Sequence, residues 1–474
     1  MLTLFPGERP EYVSEGEMTG FCAEVTLKED NGRISVFTVI KRDGQTGEGH
    51  ADAVSTGLRD IAYTSLCQKL VRLSFYRAAV PAFASHPPWG ALTGIRPGKI
   101  LSDMLAAGMG RNEAVASMTQ NYYVSPKRAE MALSTALASH KARNSLFPGD
   151  IALYVGIPFC PTRCAYCSFV SNSVEKSSHM VEPYLETLYG EIIQTAEIVS
   201  NLGLRVISIY IGGGTPTTLS SRQLGGLLDA LAENFDLSAL REYTMEAGRP
   251  DTISHEKLKV LETSGVTRIS INPQSMEDHV LRAIGRNHTA TDTLNALDMA
   301  KRYKFDINAD LIAGLPGDTA EGFARSLDTV MEYSAENITV HCLALKKGSK
   351  IMTENTSVPN SQVVGDMLNY AGDALRSGGY SPYYLYRQKY MSGGFENVGY
   401  SLPNRENIYN ICIMEELCSI ISMGAGGSTK LVEPHTGRIE RMFNPKYPYE
   451  YINRTTGKSL EFYKQIDFFN HLGG

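Results

Sequence analysis

Nothing in this chain is carried to excess. It has no run of like charges, no low-complexity tract and no apolar stretch approaching the length of a membrane span, which argues against disordered tails and transmembrane helices. The formal net charge of -6 speaks against a surface built to coat nucleic acid, yet it leaves room for local basic sites that take an acidic small molecule. The opening MLTLFPGERPEY has neither the basic segment nor the apolar run of a signal peptide, so the expected location is the cytoplasm. Cysteine is scarce, with 8 in 474 residues. Cys22, Cys67, Cys342, Cys412 and Cys418 are scattered through apolar surroundings, a pattern that excludes a disulfide framework and suits small core hydrophobes. The other three, Cys160, Cys164 and Cys167, crowd into GIPFCPTRCAYCSFVS at 156–171.

With 43% hydrophobic residues the chain can bury a large core and divide into two or three domains. Residues 1–145 read as an α+β domain of unknown role. There MTGFCAEVTL and RISVFTVI flank Asn31-Gly32, a strong hairpin signal. Helical periodicity follows in ADAVSTGLRDIAYTSLCQKLVRLSFYRAA, is broken by HPPWGALTGIRPGKI and resumes to about residue 140. Arg96 and Lys99 in this zone read as solubilising surface cations.

Residues 146–355 follow another rhythm. The β-branched runs IALYVGI, VISIYIGGG, EYTMEAG, TRISINPQ, FDINADLIAGLPG and NITVHCLAL alternate with amphipathic stretches such as YLETLYGEIIQTAEIVSNLG. Six βα repeats in this span imply a parallel sheet curled into a partial barrel, because a closed eightfold barrel takes about 250 residues. Functional groups then belong where strands end. Cys160, the turn at Gly212, Gly213, Gly214 and Thr215, Glu246, Gln274 and Asp310 all fall at or near such ends. Residues 356–474 read as a C-terminal cap beside the barrel mouth, rich in tyrosine and expected to meet substrate.

The spacing CxxxCxxC limits the chemistry of the cysteine loop. Zinc ordinarily draws four ligands from two separated pairs, and here no fourth Cys or paired His stands nearby. Three thiolates on a 4Fe-4S cluster leave one iron free of protein ligands, which is an open position for a cofactor. In this motif after a barrel strand the region closely resembles the radical S-adenosylmethionine enzymes. The resemblance implies that the open iron takes the amino and carboxylate groups of the methionine moiety and that the reduced cluster cleaves the sulfonium to a deoxyadenosyl radical. GGGTPT at 212–217 then lets backbone approach the cofactor, Glu246, Gln274 and Asp310 offer acceptors, and Arg286 neutralises a carboxylate.

LYVGIPFCPTRCAYCSF, YIGGGTPTTL, YTMEAGRPDT, SINPQSMEDHVLRAIGRNH and NADLIAGLPGDT together look like the oxygen-independent coproporphyrinogen III oxidase family. With ALTGIRPGKI and QKYMSGGFENVGYS the whole chain resembles its HemZ-like coproporphyrinogen dehydrogenase branch. The fold this implies is an α/β one, a partial (β/α)6 radical SAM barrel with an N-terminal α+β domain and a C-terminal cap. The resemblance assigns the cluster to Cys160, Cys164 and Cys167. It assigns cofactor contacts to Tyr154, Tyr166, Gly213, Gly214, Thr215, Glu246, Gln274, Arg286, Asp310 and Ala344, positions that hold two molecules of S-adenosylmethionine in the best-understood members. It also implies a reduced flavodoxin or ferredoxin-like electron donor and a tetrapyrrole substrate, with no nucleic acid and no membrane span.

The activity so implied is oxidative decarboxylation of coproporphyrinogen III to protoporphyrinogen IX in haem biosynthesis. Lys346, Lys347, Arg387 and Lys389 are the candidate cations for the substrate's propionates. Two positions depart from the family pattern. Its fourth cysteine is Phe169 here, a residue shared with haem chaperones and haem-degrading methyltransferases, and the histidine usual before IPFC is Gly156. A haem-binding chaperone and a radical SAM methyltransferase acting on haem are therefore the alternative functions.

Overall fold

A computed structural model describes residues 20–83, 86–167, 172–346, 349–354, 356–388, 391–433 and 437–454, with 4–5, 11–13, 465 and 468. It divides into one unit of residues 1–133 with 393–395, and a second of residues 134–392 and 396–474. No helix among the described residues is long and apolar enough to cross a membrane.

The first unit is built on an antiparallel sheet of β1 (Cys22–Asp30), β2 (Arg33–Arg42) and β3 (Gln45–Val54). Asn31 and Gly32 take φ 48 and 73 between β1 and β2, the left-handed pair that a two-residue hairpin turn needs. Asp43 and Gly44 repeat the device between β2 and β3, with φ 48 and 77. Residues 51–54, expected to open the first helix, instead finish β3, and the helix Asp60–Phe83 begins later. The reason lies in two glycines of β3. A Cβ on Gly47 would stand 2.2 Å from the carbonyl oxygen of Ala78, and one on Gly49 would stand 2.0 Å from that of Ser74, so the helix backbone lies flat on the strand.

The second unit carries the sheet that positions the site. Its parallel strands are β4 (Asp150–Ile157), β5 (Arg205–Gly213), β6 (Glu242–Glu246), β7 (Arg268–Ser270), β8 (Asp306–Ala313) and β9 (Asn337–Cys342), each paired with the next. These are the six runs expected from the sequence. Helices cover them, so both faces are buried and the strands read as nearly continuous apolar stretches. Helix starts are marked as the chemistry requires. Ser220 and Gln223 form a reciprocal capping box before Ser221–Asn234, and Thr289 with Asp292 does the same before Ala290–Ala300.

Residues beyond 356 extend this same sheet at both ends. β10 (Ser381–Tyr386) and β11 (Asn397–Ser401) add antiparallel strands outside β9. β12 (Ser419–Met423) lies parallel to β4, followed by antiparallel β13 (Ser428–Val432) and β14 (Ile439–Phe443). The result is an open, 11-stranded partial barrel. At its amino end the first residues of four successive strands converge. Arg268, 4% exposed, meets Glu242 at 3.5 Å and Asp306 at 3.3 Å, and also bonds Asn337. This network is the structural end of the barrel, opposite the strand ends that carry the chemistry.

The join of β12 to β4 rests on a close approach. A Cβ on Gly424, whose φ is +90, would stand 2.4 Å from the Gly156 carbonyl oxygen, and one on Gly156 would stand 3.0 Å from that of Ala425. Gly156 thus replaces the family's histidine at a place where no side chain fits without movement. The Tyr184 hydroxyl, wholly buried, donates to Gly156 O at 2.5 Å and accepts from Ala425 N at 2.9 Å. Tyr184→Phe strands both backbone groups away from water, so it should lower the unfolding free energy by about 1–3 kcal/mol. Denaturant titration would register this as an earlier midpoint at unchanged slope, and an unmoved midpoint would refute the account.

Candidate functional site

The cysteine loop leaves the end of β4 and is tied down on both sides. Gly214 N donates to Ile157 O at 2.8 Å and Thr215 N to Phe159 O at 2.7 Å, seating the loop on the turn after β5. Ala165 N donates to Ile284 O at 2.9 Å, and Cys167 N closes a turn on Cys164 O at 3.2 Å. Cys160, Cys164 and Cys167 are half-buried and form no disulfide, and all three line one cavity of about 400 Å³ at the carboxyl ends of the strands. The Thr215 hydroxyl donates to Cys160 Sγ at 3.5 Å. Among the described residues no three His, Cys, Asp or Glu side chains converge closely enough to hold a single metal ion.

The glycine turn is required by close approach. A Cβ on Gly214 would stand 2.5 Å from Phe159 O, and one on Gly212 would stand 2.9 Å from the Glu246 carboxyl. Gly213, at φ +110, donates its N–H to Glu246 Oε2 at 3.2 Å, and Tyr210 donates its hydroxyl to Oε1 at 2.6 Å. Tyr210 is held by its neighbours, with ring centroids 4.5 Å from Tyr409 and 6.2 Å from Tyr154. Burial pushes the Glu246 carboxyl up to about 7, and the charge of Asp310 adds to the rise, while the Tyr210 hydroxyl opposes it.

Across the cavity, Gln274 adopts φ 69, which is unusual for a non-glycine residue, and is fixed there by backbone bonds to β8. Gln274 N donates to Asp310 O at 2.8 Å, and Ile312 N donates to Gln274 O at 3.0 Å. Asp310 accepts from Asn308 Nδ2 at 2.8 Å and faces His341 Nε2 at 3.7 Å. Arg286, 7% exposed, donates to Asn272 O at 2.8 Å, Gly248 O at 3.2 Å and the Tyr166 hydroxyl at 3.1 Å.

Of the residues expected at the site, twelve line this cavity: Cys160, Cys164, Tyr166, Cys167, Gly213, Gly214, Thr215, Glu246, Gln274, Arg286, Asp310 and Ala344. Tyr154 stands behind Tyr210, outside the lining. Lys346 lines the cavity, whereas Arg387 is buried at 8% exposure and its guanidinium is held below its ordinary pKa, at about 10, by that burial. Phe169, Lys347 and Lys389 lie outside the described residues. Cys342 belongs to the lining, and Cys412 and Cys418 to the core, whereas Cys22 and Cys67 are half-buried.

Sequence reasoning missed Arg249, Asn308, Thr339, His341, Tyr384 and Tyr386, all of which line the cavity. The signal was present in the pleat. Asn308 and Asp310 alternate along β8, as do Thr339 and His341 along β9, so each pair points to one face. A polar residue two positions from a suspected site residue, within an otherwise apolar strand, is therefore itself a candidate.

The cavity wall, which carries both acids and arginines, suits a guest with charges of both signs. Three thiols share it with a buried arginine, the Asn272 Oδ1 and Arg286 Nε atoms are buried without a partner, and the turn at 213–214 keeps backbone where side chains would intrude. Comparison with known proteins agrees. The radical SAM superfamily profile matches residues 154–330. The oxygen-independent coproporphyrinogen-III oxidase-like protein HemZ of Bacillus subtilis is 39% identical over 460 residues, covering 95% of this chain and 91% of that protein. The chain belongs to the radical SAM superfamily, in its HemZ-like branch. A heme chaperone HemW of Lactococcus lactis is 33% identical over 58% of this chain and 68% of its own. The structure of coproporphyrinogen III oxidase HemN from Escherichia coli shares the fold, with a TM-score of 0.53 at 24% identity, over 67% of this chain and 71% of that one. The cofactors of this superfamily member are a 4Fe-4S cluster and S-adenosylmethionine.

The Glu246 carboxyl has a definite pH signature. Raised to about 7, it keeps its proton below that pH in the free protein. A cationic amine held by the carboxylate must expel this proton, so affinity should fall with acidity, by about tenfold from pH 8 to pH 6. Calorimetric titration of the cluster-loaded protein with S-adenosylmethionine should show that component, and Glu246→Gln should abolish it while weakening binding at pH 8 by about 1–3 kcal/mol. Identical profiles for the two proteins would make Glu246 a purely structural carboxyl.

Proposed function

We propose that this chain acts on a tetrapyrrole, by oxygen-independent oxidative decarboxylation of coproporphyrinogen III to protoporphyrinogen IX. In this reading Cys160, Cys164 and Cys167 hold the cluster. The turn at 213–215, Glu246, Gln274, Arg286, Asp310 and Ala344 would seat S-adenosylmethionine, with Tyr166 tied to Arg286 and Tyr154 bracing Tyr210. Bound together, reduced cluster and S-adenosylmethionine supply one-electron abstraction of hydrogen from carbon, which no side chain performs. A flavodoxin or ferredoxin-like protein is the electron donor.

The observation that carries this reading is that residues from beyond position 356 line the same cavity as the thiols. Tyr384 and Tyr386, with rings 8° from parallel, and Gln388 and Asn397 line the same cavity as the cysteines. The chain's own residues then have three tasks. The tyrosines offer flat surface to a macrocycle, Lys346 offers a cation to a propionate, and the buried walls exclude water from the reacting carbon. Each propionate would become a vinyl group by losing carbon dioxide, one hydrogen atom, taken up by the cofactor, and one electron, passed to a one-electron acceptor.

A haem chaperone is the second reading, supported by the likeness to HemW, which in the Lactococcus lactis protein extends over 58% of the chain against 95% for HemZ. Anaerobic incubation of reconstituted protein with S-adenosylmethionine, reductant and coproporphyrinogen III, followed by mass spectrometry, separates the readings. Loss of two carboxyl groups with formation of deoxyadenosine is the expected result. Tight haem binding with a defined Soret band and no decarboxylation would replace it with the chaperone, and a methylated haem product with a methyltransferase. Changing Cys160, Cys164 or Cys167 to alanine should abolish deoxyadenosine formation, whereas Cys412→Ala, far inside the core, should not. Equal loss in all four would mean that the ligand set is wrong.

A further inference from the structure

Arg249 follows β6 by three residues and is 3% exposed. Its Nε and one terminal nitrogen donate to the two oxygens of Asp251 at 3.1 and 3.0 Å. The other terminal nitrogen donates to the hydroxyl of Thr162 at 3.1 Å. Thr162 lies between Cys160 and Cys164. Tyr166, held by Arg286, lies between Cys164 and Cys167. Each interval of the CxxxCxxC loop is therefore gripped by one buried guanidinium.

The charges beside this loop do not balance. Among the described residues, Asp251 is the one carboxylate in contact with either arginine, since Arg286 bonds two carbonyls and a phenol. A buried cation without an anion is costly, and two buried guanidiniums that share one carboxylate in a single wall mark a place where negative charge is to reside. His288 reports the same field. Its side chain is wholly buried with neither ring nitrogen bonded, and burial, then Arg286 and Arg249, hold its pKa down at about 4.

We propose that Arg249 is a positioning residue for the cysteine loop and that its buried charge, balanced only in part by Asp251, offsets the negative charge of the thiolates when they hold the cluster. The inference rests on the cluster assignment above. It makes Arg249 a determinant of how readily the cluster accepts an electron, and it needs the planar fork of arginine to hold Thr162 and Asp251 at once.

The test uses the full chain, reconstituted anaerobically with iron and sulfide, with iron content, iron loss to a chelator and midpoint potential followed by electron paramagnetic resonance. Absence of a cluster signal in the unaltered protein would refute the cluster assignment, independently of the variants. Given that signal, Arg249→Gln should lower the ratio of reduced to oxidised cluster at the unaltered midpoint about tenfold, equal to about 59 mV for one electron. Arg249→Lys should restore the potential yet lose iron several times faster, and Thr162→Val should lose iron faster at unchanged potential. Full iron retention and an unmoved potential in Arg249→Gln would overturn the proposal, as would a lysine variant that matches the glutamine variant in potential. Should Arg249→Gln take up no iron, Asp251→Asn decides. Removing the partial counter-charge must raise the reduced fraction, and an unchanged or lower value sinks the idea.

Discussion

Two backbone hydrogen bonds hold the site together, from Gly214 N to Ile157 O and from Thr215 N to Phe159 O. They lay the cysteine loop across the turn that follows β5, so that the first two strands deliver thiols and exposed backbone to the same point. The arrangement leaves no room for a side chain, because a Cβ at 214 would stand 2.5 Å from the Phe159 carbonyl oxygen. Parallel pairing extends the effect. With β4 to β9 each bonded to its successor, Cys160, Glu246, Gln274 and Asp310 must arrive at one end whatever their separation in sequence.

The two ends of the barrel solve the problem of buried charge differently. At the amino end Arg268 meets Glu242 and Asp306, and Arg405 also meets Asp306, so two cations face two carboxylates. At the carboxyl end the signs are left apart. Glu246, Asp310, Arg249 and Arg286 all line the cavity with neither acid paired to either arginine, and burial, with the charge of Asp310, keeps the Glu246 carboxyl from ionising. An imbalance of this kind lowers the stability of the empty protein and raises its affinity for a guest that carries both signs, as S-adenosylmethionine and a thiolate-bound cluster do together.

Residues 356–474 complete this end of the barrel by supplying strands. β10 and β11 bring tyrosines and Asn397 to the cavity beside β9, and Asn397 Oδ1 accepts from Cys342 N at 2.9 Å, fixing one wall to the other. On the far flank, the Gly156 and Gly424 backbones approach so closely that a side chain at 156 would require the turn at 424–425 to shift. A change at one position before the cysteine loop is thus coupled to a turn more than two hundred residues away.

The features legible from residue order were local. Six apolar runs gave the six parallel strands because strands buried on both faces carry a nearly unbroken hydrophobic signal, and CxxxCxxC with GGGTPT gave the thiols and the turn because both needs are met within a few residues. The Asn31-Gly32 hairpin was legible for the same reason. Tertiary structure alone decided whatever depends on distant partners. Residues 51–54 became strand because Gly47 and Gly49 accept a helix backbone from residues 74–78. Tyr154 fell behind Tyr210, Arg249 reached Thr162 from another strand, and Glu246 acquired its raised pKa from burial beside Asp310. Spacing in sequence fixes which groups can share a loop or a strand face. Burial and the electrostatic field are sums over neighbours that only the folded chain brings together.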